Sequence, residues 1–517
     1  ANGASGGLNG LDLSADGRFI TFESKASNLI SGDRNNGFDV FVHNRRHGKT
    51  ELVSVAADVS FPGNDESRHP AISANGRFVV FESKANNLVY EDSNSYSDIF
   101  LRDRIHRQTH LVSRVWPGDI GNNDSSLPDI SGDGRWIVFQ SFASNLVAGD
   151  TNGFSDIFLY DVSTRRITRI SQAADGTQAD RSSRQPSISD SGDWVVFTSQ
   201  ARNLLPTPAT DEWEDVFLYD RINGTIERVS NNPAGGVPNE RSRLATISAD
   251  GRWIVYQSAA SDIVSGDTNS KWDIFLYDRI TKQTRRISTS EAGIEADDHS
   301  EHAHISADGR FVAFSSSATQ LVPGDFNAAP DVFLEDVQTG ALRRCSLDWK
   351  DQEAPGTSYF PRVSGQGREV AFTSDASNLA DGDTNGTFDV FVRDSMELTL
   401  LGVPLVGFPV QFQLEHAFRE EGQSLQVLLS LTGQGPWDLP GGSGLRLPLT
   451  PDSLTVAGLN LGSLFVGGIG IHAKALTPSL TIPQTLSNQR VYVAGVVFNP
   501  TNGVLREVTG PLTIDIQ

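Results

Sequence analysis

Cysteine and methionine are almost absent from this 517-residue chain, which has one of each, Cys345 and Met396. A lone cysteine excludes an internal disulfide. Basic charge is also in short supply: 42 Lys and Arg stand against 64 Asp and Glu, a net charge of −22. An acidic surface repels polyanions, so nucleic acid and anionic lipid are excluded as partners and cations or basic partners are favoured. No apolar run is long enough to cross a bilayer, so no membrane insertion is expected. No long stretch carries a helical period. Enzyme signatures are missing as well: Gly441-Gly442-Ser443-Gly444 lacks the spacing of a Gly-x-Ser-x-Gly nucleophile elbow. The chain opens Ala1-Asn2-Gly3, which is expected of a processed, exported protein.

What the sequence does hold is a repeat. A Ser-x-Asp-Gly-Arg segment followed by an apolar run recurs with turn glycines at Gly17, Gly76, Gly134, Gly192, Gly251, Gly309 and Gly367. The period is about 58 residues, the mark of one supersecondary unit repeated. Each unit reads as four strands. In the second, Pro70–Ser73 is followed by a tight turn at Gly76, then Arg77–Ser83, a long loop, Ile99–Arg102, a polar hairpin and Thr109–Ser113. The strand after the turn is apolar on both faces, as in Trp136-Ile137-Val138-Phe139, which suits a sheet covered on both sides by neighbouring sheets. Four-stranded units repeated radially make a β-propeller. The expected fold is all-β: a seven-bladed β-propeller over residues 1–396, then a small β-sandwich over 397–517. Cys345 falls where other units have Val53, Val112, Ile170, Val229 and Ile287, so it reads as a small buried apolar side chain. The seventh unit is the weakest, with its fourth strand indistinct near Leu398–Leu401.

The Ser-x-Asp-Gly-Arg turn, the Asp-Ile-Phe-Leu strand and the closing Thr-x-x-x-Val-Ser resemble the WD40-like, TolB-type propeller repeats of bacterial exported proteins. The run Ala143-Ser144-Asn145-Leu146-Val147 with Gly149-Asp150-Thr151-Asn152 is similar to a subgroup of secreted propellers. This resemblance implies a fold and an exported location. It implies no activity, because propellers host binders, scaffolds and enzymes alike.

The loops between second and third strands are long and acidic, and they share Asp-x-Asn-x-x-x-Asp. The instances are Asp33/Asn35/Asp39, Asp92/Asn94/Asp98, Asp150/Asn152/Asp156, Asp267/Asn269/Asp273, Asp325/Asn327/Asp331 and Asp383/Asn385/Asp389, and the fourth unit breaks the pattern with Ala209, Asp211 and Asp215. Two carboxylates and an amide oxygen alternating in a tight loop are hard ligands at calcium-like spacing, with carbonyls or water completing the shell. The same residues also make Asx-turns with their own backbone, and the spacing alone leaves both readings open.

His299, His302 and His304 cluster before the sixth turn, a foothold for a transition metal and a metal-dependent carbohydrate-active enzyme. Trp213 and Trp272, just ahead of third strands, read as packing before sugar stacking. After Met396 the composition turns to Leu, Gly, Pro and Val, with strand-like runs at Ser424–Leu431, Arg490–Phe498 and Leu512–Ile516. The glycine-rich start, Ala1–Gly10, is expected either to be held by a neighbouring subunit or to close the seventh blade. The functional expectation is a secreted or cell-surface, non-enzymatic, calcium-stabilised structural protein, with the periplasm as second location. Its partners would be copies of itself or a surface protein or glycan. A soluble glycan- or protein-binding propeller is the alternative.

Overall fold

The computed structural model describes residues 2–394, except 8, 9, 32, 34, 36, 59, 60, 116, 208, 210, 349–351, 381, 382 and 384. It also describes the backbone of strand segments between 397 and 515. The chain divides into two compact units, Ala1–Arg393 and Asp394–Gln517.

The first unit is a seven-bladed β-propeller. Six antiparallel sheets have four strands in chain order, and the seventh has three among the described residues, Ser358–Val363, Glu369–Ser374 and Asp389–Asp394. The innermost strand of each sheet touches that of the next, and the innermost strand of the first touches the seventh, so the ring closes. Within a blade the second and third strands run in full register, which sets an aromatic pair face to face across them. Phe139 lies opposite Phe158, ring centroids 5.7 Å apart. The pair recurs in every blade, through Tyr256–Phe275 to Phe372–Phe391. Cross-strand aromatic pairs stabilise a sheet beyond their area.

The apolar cores lie between blades. Val138, Ile157, Leu159 and Ile170 of the third pack against Ile188, Val195 and Phe197 of the fourth. Cys345 is buried in the equivalent cluster of blades six and seven, as its place in the repeat requires.

The innermost strands begin three residues earlier than the sequence pattern marks: the second blade's runs Ser67–Ile72 instead of starting at Pro70. A bulge breaks its register between Arg68 and Ala71, and His69 sits at φ 48°. Leu127, Gln185, Leu244, His302 and Phe360 repeat that left-handed backbone in blades three to seven. Proline follows most of them and hides the strand in the sequence, since proline within a sheet is confined to edges and bulges. The strain is held by a neighbour. Glu23, Glu82, Gln140 and Gln257 each accept the N–H of the left-handed residue one blade on.

The first residues are in register with the repeat. Ser5 N–H donates to Phe388 O of the seventh blade at 2.8 Å, as Ser67 N–H does to Phe38 O. Its hydroxyl pairs with Ser24 as Ser67 pairs with Ser83. The start of the chain thus opens the first blade and spans the seam to the seventh.

In the second unit, Glu397–Leu401 pairs with Pro409–Glu415, and Arg490–Phe498 pairs with Ser424–Ser430, Leu505–Val508 and Leu512–Asp515. The β-sandwich expected over 397–517 depends mostly on residues outside the described ones. Among the described residues, no helix is long and apolar enough to cross a membrane.

Candidate functional site

The acidic loops form six copies of one lock. In each, the asparagine Oδ1 accepts the backbone N–H two residues on, closing an Asx-turn: Gly37, Tyr96, Phe154, Lys271, Ala329 and Thr387 are the donors. Its Nδ2 donates to the second aspartate, at 2.8 Å for Asn35–Asp39 and Asn152–Asp156. Asn94, Asn269, Asn327 and Asn385 do the same to Asp98, Asp273, Asp331 and Asp389. The amide oxygen expected to face a metal thus accepts a turn N–H in all six.

The second aspartate is wholly buried in blades one to three, five and six, and its Oδ1 accepts the hydroxyl of the serine closing the blade. These serines are Ser54, Ser113, Ser171, Ser288 and Ser346. Ser230 serves Asp215 in the fourth blade, where the motif is broken.

What balances the carboxylates divides the blades. In the third, Arg169 Nη1 lies 3.1 Å from Asp150 and 3.6 Å from Asp156. In the sixth, Arg344 Nη1 lies 3.2 Å from both Asp325 and Asp331 and 3.0 Å from Glu353. In the fifth, Arg286 holds Asp267, Asp273 and Glu295 in the same way. In blades five and six the three carboxylates bring oxygens within 4.8 Å of one another, and the guanidinium stands among them where calcium was expected.

Blades one and two lack this arginine. Leu52 and Leu111 occupy the place of the arginine, two residues before the closing serine, and Pro62 and Ile120 occupy that of the glutamate. Burial pushes Asp39 and Asp98 up to about 7, and Asp33 and Asp92 add to it. Asp33 Oδ1 is buried without a hydrogen-bond partner. In the seventh blade the corresponding position lies outside the described residues. The signal that separates the blades, an arginine two residues before the closing serine in units three to six, is present in the sequence and was missed.

The three histidines do not converge. His299 Nδ1 accepts the Trp272 N–H in a loop, while His302 packs edge-on against Phe360 and Tyr359. His304 lies deeper, its Nδ1 accepting the Val363 N–H at 3.3 Å. Burial, with the Arg362 charge, brings His302 down to about 4 and His304 well below its ordinary value, so both rings are neutral. Both line the axial channel of the propeller, together with Asp12, Asp129 and Arg362. Trp272 lies under Arg243, and Trp213, 38% exposed, under Arg241.

These environments fix the sign of the pH response. Burial pushes Asp12, Asp39, Asp98 and Glu335 each up to about 7. A carboxyl with a raised folded pKa takes up protons on folding, so its contribution is present at acid pH and lost as pH rises towards 7. Asp278, hydrogen-bonded by Arg252, is held low, as is Asp336, where burial pushes up but the Arg310 hydrogen bond and charge, with the Gln338 N–H and Thr339, together pull further down. Such groups lose their contribution as pH falls below about 4. In chelator, the thermal midpoint is expected to peak between about pH 4 and 7 and to fall by pH 8. A midpoint still rising from pH 6 to 8 contradicts this account.

No protein-family model matches the chain, and no curated protein matches its sequence. Among solved structures the chain is similar to one described as putative TolB from Agrobacterium tumefaciens. Identity is 16% over 69% of this chain and 98% of that one, with a TM-score of 0.37. It is also similar to an acylaminoacyl peptidase from Pyrococcus horikoshii, at 11% identity over 81% of this chain, with a TM-score of 0.44. The chain spans 59% of the peptidase's length. The class this chain belongs to by its own strand order is the seven-bladed β-propeller.

Proposed function

We propose that the chain is a non-catalytic structural propeller of the cell exterior or envelope, its C-terminal unit a sandwich that anchors it or joins copies of itself. The observation that carries this reading is the fate of the polar loop groups. In six blades the side chains that look like ligands hold loop to strand, and in five of them the asparagine also donates to a carbonyl of the connection to the next blade. A ring built this way is a rigid platform. Among the described residues, the histidine–hydroxyl hydrogen bond is that of His43 with Thr50, on the outer strands of the first blade, away from the axial channel.

Calcium keeps a place in this reading, in blades one and two. Asp33 with Asp39 and Asp92 with Asp98 are carboxylate pairs without the arginine of their sister blades, and a hard cation with oxygen ligands suits them. Blades three, five and six carry their cation in the chain.

A second reading, a glycan- or protein-binding propeller, is favoured by one feature. Tyr96, Phe154 and Trp213 occupy equivalent loop positions in three successive blades, and each is 38–44% exposed. Aromatic side chains so placed can stack on a sugar ring or anchor a protein.

Sedimentation velocity in millimolar calcium and after chelation tests the structural reading. Large species that dissociate on chelation are expected. A monomer unaffected by chelation contradicts both the assembly and the calcium.

A further inference from the structure

Charge is sorted between the two faces of the ring. In the second blade Phe78 lies opposite Asp103 and Asp103 opposite Gln108, while Ser83 lies opposite Asp98 and Ser67. The turn after each innermost strand and the hairpin between third and fourth strands therefore share one face. The loops between second and third strands and the connections between blades share the other. In the six blades with a fourth strand, the hairpins hold eight Lys and Arg and no Asp or Glu, among them Arg45, Arg46, Arg104 and Arg107. The aspartate that ends the third strand in blades two to six is buried, and in four of them it pairs with the arginine of the turn. On the opposite face the loops hold, among the described residues, 26 Asp and Glu against seven Lys and Arg. In a chain of net charge −22 the basic hairpins are the exception.

Apolar side chains mark the same two faces. Among the described residues, the large apolar side chains that are more than half exposed all lie on one face or the other. Ile105, Ile222 and Ile280 stand at the tips of the basic hairpins, each with its N–H held by the aspartate two residues before it. Phe61, Tyr90, Ile294 and Phe326 stand on the acidic loops. Exposed apolar groups set among polar ones mark a surface that meets a protein.

We propose that the two propeller faces bind each other between copies of this chain, the basic hairpin face of one copy seated on the acidic loop face of the next. This deepens the self-association proposed above and rests on it, but it places the contact on the propeller itself. Charge complementarity selects the occupant. A basic partner would match the loops alone and an acidic partner the hairpins alone, whereas a second copy matches both. Whole copies repel one another, but at 0.1 M salt charges more than ~10 Å apart are largely screened, so the facing surfaces decide. The contact is head-to-tail. It leaves one face open at each end of a pair, and such an interface propagates into a ring or a filament.

Sedimentation velocity of the full-length protein in millimolar calcium, over a range of protein concentrations, tests this with one variant for each face. Ile105→Asp/Ile280→Asp alters the hairpin face and Tyr90→Lys/Phe326→Lys the loop face. All four side chains are exposed, so both variants should fold. Each variant alone is expected to associate at least ~10-fold more weakly than the parent, since charge placed wrongly across an interface suppresses pairing. An equimolar mixture is expected to regain a dimer, because each variant keeps the face that the other has lost. Lys49→Glu/Arg107→Glu, on exposed side chains at two neighbouring hairpins, is expected to weaken association by a similar factor. Raising NaCl from 0.1 to 1 M should do the same to the parent, as the screening length shrinks from ~10 to ~3 Å. Face variants that associate as the parent does would overturn this proposal alone and leave the contact to the C-terminal unit. A mixture that stays monomeric while the parent associates, or parent association indifferent to salt, also overturns it. A parent that is monomeric throughout overturns it together with the self-association.

Discussion

Arg344→Leu is expected to destabilise the propeller by about 3–5 kcal/mol at neutral pH, the range found when one partner of a buried ion cluster is removed. Leucine is what blades one and two carry at this place, so the change is sterically familiar to the fold. What it removes is the charge. Asp325, Asp331 and Glu353 would be left with oxygens within 4.8 Å of one another and no cation among them. Arg344 is 7% exposed, so solvent screens little of the loss. Equilibrium denaturation in chelator measures the effect, and millimolar calcium is expected to restore part of it in the variant while leaving the parent's sixth blade unaffected. A loss below about 1 kcal/mol, the size of an exposed pair, would mean that the guanidinium is not what holds this loop.

Gly309→Ala is the second large effect expected, about 2–5 kcal/mol. Two costs combine. Gly309 has φ +72°, where a side chain costs about 1–2 kcal/mol. A Cβ there would also stand 2.3 Å from Cδ1 of Trp253 in the preceding blade, and relieving such overpacking costs about 1–3 kcal/mol more. Gly324→Ala separates the two. It has φ +82° but nothing within 4 Å of the added carbon, so the backbone cost alone should appear. Equal losses in the two variants would show that the glycine–tryptophan contact between blades contributes nothing.

That contact also explains why the repeat was legible. A turn that needs positive φ and leaves no room for a side chain under its neighbour admits only glycine. Six such glycines lie under an aromatic ring and Gly17 lies under Glu369, and the seven together gave the number of blades. Apolar strands after each turn gave the blade itself. The innermost strands were read short because His69-Pro70 and its counterparts look like strand breakers, whereas the bulge they form depends on an acceptor from another blade, about 45 residues away in sequence.

The loop motif was found but its chemistry was only half visible. Aspartate and asparagine spacing cannot show which end of the amide faces the carboxylate. The balancing arginine sits on the fourth strand, and only its contacts, such as 3.1 Å from Asp150, reveal it as part of the loop. His302 and His304 were singled out as neighbours in sequence. Their relation to Asp12 and Arg362, from the first and last blades, exists only once the ring is closed.

The central claim is that the loop locks of blades one, two, three, five and six are each balanced by a cation, built into the chain in blades three, five and six and taken from solution in blades one and two. Equilibrium calcium binding at pH 7.5 tests it most directly, by comparing the parent with Asp33→Asn/Asp92→Asn and with Asp267→Asn/Asp325→Asn. The account predicts that the first double variant loses two calcium sites and the second loses none. A parent that binds no calcium, or sites lost from the second variant instead of the first, would contradict it.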